Sequence, residues 1–225
     1  MKIKATRRAR SGTFQCRPIA LARLHYDRDW KRLSTLFFDI DTQLDFVCPS
    51  GALYVPGAER IVPAVARLNR YAAAHGVVVV STVDAHSEND VEFRDWPPHC
   101  VAGALGQHKA GVTLLDRRVV IPNRPCPLDL GGAQQIILEK QNVDAFTVPN
   151  LSRILELLPA DSYVVYGVVA ELCVLHAARG LLKTGKPVTI VTDAVEGLEA
   201  AASARALGEV TTAAGGTLAR IADFC

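Results

Sequence analysis

The feature that most constrains this chain is the spacing of its unbroken apolar runs. "TLFFDI" (35–40), "VVVVST" (77–82), "SYVVYGV" (162–168) and "PVTIVTDA" (187–194) are apolar on successive residues instead of alternating, and "RVVI" (118–121) and "QIILEK" (135–140) are shorter runs of the same kind. Strands that are apolar on both sides belong to sheets buried on both faces. Helical patterns separate them. "AERIVPAVARLNRYAAAHG" (58–76) sets Ile61, Val65, Leu68 and Ala72 on one face, with Pro63 in the first turn and Gly76 as a stop. A second helix is expected over roughly 171–184, ending near Gly185, and a third over "EAAASARALGEVTTAAGG" (199–216), with "TLARIA" (217–222) as a last strand. This alternation predicts an α/β chain with three α/β/α layers around a central, mostly parallel sheet of the Rossmann-like kind. In such sheets chemistry gathers at the C-terminal edge of the strands. The long irregular stretch 84–134 is then expected to be functional.

Of the 225 residues, the first 34 hold ten Lys and Arg against two Asp, a net charge of +8. The remainder, with 15 Lys and Arg against 21 Asp and Glu, is −6. The expected division is therefore a basic extension over 1–34 and one domain over 35–225. A basic arm of this size is read as a solvated extension, or one paired with acidic surface on its own body or a sister subunit. No nucleic-acid partner is expected. "TRRARSG" carries paired arginines, but the segment after it is broken by Arg, His and Asp and supplies no apolar signal core. No apolar run approaches the ~20 residues that span a bilayer. The expectation is a cytoplasmic protein without a membrane partner. Six cysteines (16, 48, 100, 126, 173, 225) form no C-x-x-C pair, so disulfides are not expected.

"LFFDIDTQLDF" (36–46) supports two chemistries. An apolar strand ending in Asp-x-Asp opens the Mg²⁺-dependent aspartyl phosphatases of the haloacid dehalogenase type, with Asp39 as nucleophile and Asp41 as acid/base. Asp-x-Gln-x-Asp-Phe, read two residues later, opens a cysteine hydrolase. The phosphatase needs Gly-Thr or Gly-Val where this chain has Thr42-Gln43, and Asp193 with Glu196 makes a poor downstream acidic pair. It also leaves three features idle: Asp84-x-His86, "WPPHC" (96–100) and Cys173.

Those three carry chemistry of their own. Cys173 follows a strand at the start of a helix, where unpaired N–H groups and the helix dipole favour a thiolate. Asp84 and His86, at the end of a strand, project to one side because strand periodicity is two. With His99 they make a carboxylate and two imidazoles, a set that suits Zn²⁺, Mn²⁺ or Fe²⁺.

Over about residues 35–222 the chain resembles the isochorismatase-like cysteine hydrolases, and within them the nicotinamidases. The resemblance rests on Asp41, Gln43, Asp45 and Phe46, on Lys140 at the end of "QIILEK", and on Gly-x-x-x-x-x-Cys-Val in "GVVAELCV" (167–174). It implies a triad in which Asp41 takes the thiol proton, Lys140 holds that carboxylate and Cys173 attacks an amide carbonyl. It also implies a cis Val168–Val169 peptide, with the N–H groups of Val169 and Cys173 facing the oxyanion. Joined to Trp-Pro-x-His-Cys, the group Asp84, His86 and His99 is similar to the nicotinamidase metal site, with Glu92 as a possible fourth ligand and Asp90 and Asp95 behind it. Zinc is the first metal expected, with manganese or iron as alternatives. Phe46 and Trp96 match the aromatic pair that sandwiches a pyridine ring.

The implied activity is a metal-dependent amidohydrolase converting nicotinamide to nicotinate and ammonia through a cysteine thioester, in NAD salvage, from a homodimer or homotetramer. The alternative is the same triad acting on another small amide or ureide. A catalytically silent scaffold on this fold ranks below both, because all three triad residue types are present. Asp39 is unexplained: the family usually has an apolar residue there, and on the same strand face as Asp41 it needs partners or a raised pKa.

Overall fold

A computed structural model describes residues 35–225. The basic segment 1–34 lies outside the described residues. Seven strands form one sheet: β1 (Thr35–Ile40), β2 (Val79–Asp84), β3 (Arg118–Ile121), β4 (Gln135–Lys140), β5 (Ser162–Val168), β6 (Val188–Glu196) and β7 (Gly216–Ala219). Their order is β3-β4-β2-β1-β5-β6-β7, and each neighbouring pair is parallel. The helices are α1 (Leu44–Val47), α2 (Val62–Ala74), α3 (Leu151–Leu157), α4 (Leu175–Leu182) and α5 (Ala200–Thr212).

Strand periodicity sorts the apolar runs into two cores. On one face Leu36, Phe38 and Ile40 of β1 join Tyr163 and Val165 of β5 and pack against Leu151, Ile154, Ala178, Leu181, Ala206 and Val210 of α3, α4 and α5. On the other, Phe37, Val79, Val164 and Tyr166 meet Val65, Leu68 and Ala72 of α2. Each large apolar side chain buried this way contributes about 1.5–3 kcal/mol. The result is an α/β fold, three layers deep around a parallel sheet. No helix among the described residues is long and apolar enough to cross a membrane.

Several boundaries differ from those the sequence suggests. β2 begins at Val79, not Val77, and continues to Asp84, which sets Asp84 beside Lys140, the last residue of β4. The helix expected over 171–184 is two pieces. A π turn spans Ala170–Val174, with Val174 N donating to Val169 O at 3.1 Å, and α4 follows from Leu175. The short helices α1 and α3 carry too few turns to show a period and are missing from the sequence reading. The stretch 84–134 holds three single 3₁₀ turns and the edge strand β3.

The largest correction concerns Asp39 and Asp41, which do not share a face. β1 ends at Ile40, and Asp41 takes a left-handed conformation (φ 49°). Asp39 stays on the α2 face, while the carboxylate of Asp41 turns to Thr82 and Lys140.

β1 and β5 approach closely where Gly167 (φ 120°) passes Ile40: a Cβ there would lie 2.1 Å from Ile40 O. Gly167→Ala is therefore expected to destabilise the fold by ~2 kcal/mol or more, read as a lowered urea midpoint. An unchanged midpoint would show that the two strands can separate at no cost.

Candidate active site

The C-terminal edges of β1, β2, β4 and β5 converge on Lys140. Its ammonium is buried and lies 2.9 Å from Asp41 Oδ2, in direct contact with Asp84 Oδ1, and 3.6 Å from Cys173 Sγ. The structure thus brings together Asp41, Lys140 and Cys173 from three separate strand ends. The contact with Asp84 adds a second carboxylate, one that sequence reasoning assigned only to a metal. Its signal was available in the register, since Asp84 and Lys140 are cross-strand partners, but register is invisible in sequence.

One ammonium between two buried carboxylates sets the protonation of the group. Burial opposes the charge on Lys140, yet Asp41 and Asp84 outweigh it and hold the amine well above its ordinary range. Burial pushes Asp84 up to about 7, against the pull of Lys140 and with the push of Asp41. Burial also raises the Cys173 thiol; Lys140 draws it down, but Asp41 and Asp84 push it up and Asp41 hydrogen-bonds to it. Burial and the two carboxylates thus oppose the thiolate that the helix dipole favours, and Lys140 supports it. Asp41 Oδ1 accepts from Thr82 Oγ1 at 2.6 Å. Its Oδ2 accepts no aligned hydrogen bond from a protein N–H or O–H and is placed to take a proton.

The motif Asp-x-Gln-x-Asp-Phe resolves into four separate tasks. Asp41, in a backbone region that costs roughly 1–2 kcal/mol for a non-glycine residue, reaches Lys140. Gln43 clamps Asp84 by its backbone: Nε2 donates to Asp84 O at 2.8 Å and Oε1 accepts from Asp84 N at 2.6 Å. Asp45 Oδ2 accepts from Cys100 N at 2.7 Å, which secures the residue after His99, itself left-handed (φ 45°). Gly106 passes close beside it, and a Cβ there would lie 2.1 Å from the Asp45 carboxylate and force it to shift. Phe46 packs on the His99 ring, with centroids 5.4 Å apart.

Asp84, His86 and His99 are all buried, and one ligand atom from each lies within 4.8 Å of the others. His99 Nδ1 donates to Pro97 O at 2.8 Å, which leaves Nε2 as a lone pair. Burial holds the His99 imidazole below its ordinary pKa, in the neutral form that ligates metals. His86 Nδ1 lies 3.1 Å from Asp90 Oδ2, and its Nε2 is fully buried with no hydrogen-bond partner. An orphaned imidazole nitrogen beside a second lone pair and a carboxylate fits a divalent cation. The carboxylate behind His86 is the arrangement that orients a ligating imidazole. Asp90, expected only as a reserve ligand, stands there instead. Glu92 falls outside the close group, with Oε1 4.0 Å from His99 Nε2. Asp95 is exposed and closes its own 3₁₀ turn.

A pocket opens over this edge, lined by Phe46, Trp96, Leu53, Val55, Leu172 and Leu198 around Asp41, Asp84, His99 and Cys173. Val168 and Val169 form part of its wall, and the peptide between them is cis.

The fold is isochorismatase-like. Residues 128–223 match the isochorismatase domain. Among known proteins it is similar to the nicotinamidase of Escherichia coli (strain K12), at 25% identity over 82% of this chain and 94% of that one. It is also similar to an N-carbamoylsarcosine amidase of Arthrobacter sp, at 26% identity over 65% of this chain and 53% of the relative. A crystal structure of the pyrazinamidase of Pyrococcus horikoshii in complex with zinc superimposes with a TM-score of 0.70 and 28% identity, covering 83% of this chain and 99% of that one.

If the two carboxylates hold the thiol neutral, Asp41→Asn should lower the Cys173 pKa, because a negative charge that opposes the thiolate is gone. The pH profile of iodoacetamide alkylation at Cys173, followed by peptide mass, measures this. A profile that stays put or moves to higher pH would refute the electrostatic account.

Proposed function

We propose that this protein is a cysteine-dependent amidohydrolase of nicotinamidase type, which hydrolyses nicotinamide to nicotinate and ammonia. The observation that carries the reading is the contact of Cys173 with the Asp41–Lys140 pair at the floor of an apolar, aromatic-lined pocket. In this reading the Cys173 thiol adds to the amide carbonyl while Asp41 takes its proton. The resulting oxyanion is held by the N–H groups of Val169 and Cys173, each such donor being worth roughly 3 kcal/mol in a transition state. Collapse breaks the C–N bond, Asp41 returns its proton to the leaving nitrogen, and ammonia departs from a thioester. Asp41 then deprotonates water, which attacks the thioester; the acid leaves and the sulfur recovers its proton. Lys140 stays protonated throughout and keeps the Asp41 carboxylate aimed at the sulfur.

Asp84, His86 and His99 would hold a divalent cation, with zinc the first choice and manganese or iron alternatives. Such an ion supplies a Lewis-acid anchor for a pyridine nitrogen or a polarised water. Phe46 and Trp96, which both line the pocket, would sandwich the ring. A homodimer or homotetramer and a place in NAD salvage belong to the same proposal.

A second reading keeps the chemistry and changes the substrate to another small amide or ureide, and the similarity to an N-carbamoylsarcosine amidase motivates it. Apart from the metal ion itself, a substrate bearing a carboxylate needs a side-chain cation in the pocket. Among the described residues that line it none is Arg or Lys, and the nearby Lys140 is already shared by Asp41 and Asp84. An uncharged aromatic amide fits this lining better.

Two measurements test the proposal. Cys173→Ala should abolish ammonia release from nicotinamide, and full turnover by that variant rules the mechanism out. His86→Ala should chiefly raise KM and lower the bound metal found by elemental analysis. Activity indifferent to a strong chelator, with no metal in the purified protein, would remove the cation from the scheme.

A further inference from the structure

Asp39 is the charged residue of β1 that the amide chemistry leaves unused, and the structure gives it a full set of partners on the α2 face. Its Oδ1 accepts from Thr42 Oγ1 at 2.8 Å and lies 3.1 Å from Lys109 Nζ. Its Oδ2 accepts from Asn69 Nδ2 at 2.9 Å and from Ser81 Oγ at 3.3 Å. Lys109 Nζ in turn donates to Thr42 Oγ1 at 2.7 Å. Asp39, Thr42 and Lys109 therefore close a ring of polar contacts, with Asp39 and Thr42 fully buried and Lys109 only 6% exposed. The ring continues sideways: Tyr166 donates to Asn69 Oδ1 at 2.6 Å and Gln135 Nε2 to Ser81 Oγ at 2.9 Å. Register sets Ser81, Asp39 and Tyr166 side by side on β2, β1 and β5.

Stability alone does not demand such a pair, because a buried ion pair can often be replaced by apolar residues without loss. Its position suggests a different use. Thr42 directly follows Asp41, and the two side chains point opposite ways, one to Lys109 and the other to Lys140. The loop carrying Lys109 also grips this turn by its backbone: Leu44 N donates to His108 O at 2.8 Å and Ala110 N to Thr42 O at 2.9 Å. A rotation that freed Thr42 would swing the Asp41 carboxylate away from the sulfur.

We infer that Lys109 is a positioning residue for Asp41: the ring it closes with Asp39 and Thr42 holds the left-handed turn that aims the Asp41 carboxylate at Cys173 and Lys140. This rests on the amide-hydrolysis reading for its kinetic readout alone.

Three variants test it. Thr42→Val keeps side-chain volume and the ion pair but breaks the ring. Lys109→Met removes the cation. Asp39→Leu with Lys109→Met removes both charges and covers the case in which Lys109→Met alone does not fold. Each should lower kcat on the order of 10²-fold, the scale of an ångström's misplacement, while KM moves less than about twofold. Each should also shift the Cys173 alkylation profile in the direction that Asp41→Asn shifts it. Introduced into Asp41→Asn, they should add almost nothing, since residues that act through one group are not additive. Variants that lose thermal stability yet keep the parental kcat and alkylation profile would overturn the inference, as would losses that multiply with Asp41→Asn. A parent protein without amide turnover would defeat the functional reading instead, and the alkylation profiles would still decide this one.

Discussion

Burying one ammonium between two carboxylates is the constraint around which this molecule is built. Lys140 ends a strand whose neighbour ends in Asp84, and the next strand over delivers Asp41. Parallel strands make this possible, because all of their C-terminal ends lie on one edge of the sheet. Charges so deeply buried are tolerated only as a set, since removing one leaves the others unpaired. The cluster also acts on the sulfur beside it. Burial, Asp41 and Asp84 push the Cys173 thiol above its ordinary range, and Lys140 pulls it down.

Around that cluster the polar residues fall into two layers on opposite faces of the sheet. Asp41 and Asp84 line the pocket with Thr82 and Lys140 bonded to them, and Ser81, Asp39, Gln135 and Tyr166 gather on the α2 side. The two layers meet at residues 41–43, where the chain leaves β1 in a left-handed turn. A single amide, Gln43, spans from this turn to Asp84 and to Gln107 O at 2.8 Å. The site is therefore positioned by short-range polar contacts at one turn, and the apolar cores hold the strands that carry it.

Much of the fold was legible in the sequence because burial on both faces leaves unbroken apolar runs. "RVVI", "QIILEK" and "SYVVYGV" mark β3, β4 and β5 to the residue. Less was legible where the signal is geometric. The two-residue offset of β2 reflects Val77 and Val78, which look like strand but precede the paired segment. The helix around Cys173 reads as continuous, since a π turn differs from an α turn by one hydrogen-bond step and leaves no mark in apolar spacing. Asp39 and Asp41 read as neighbours on one face because period two assumes that the strand continues. Lys109, in an irregular loop, carried no pattern that could link it to Asp39.

The sequence by itself determined the layer architecture, the candidate nucleophile and the residue types around it, because apolar periodicity and motif spacing are local properties of the chain. Only the tertiary structure decided which carboxylates share Lys140, which charges act on the Cys173 thiol, and where Asp39 finds its cation. Those outcomes depend on strand register, on one left-handed residue and on the burial of charges far apart along the chain, and electrostatic energies between them exist only once folding has set the distances.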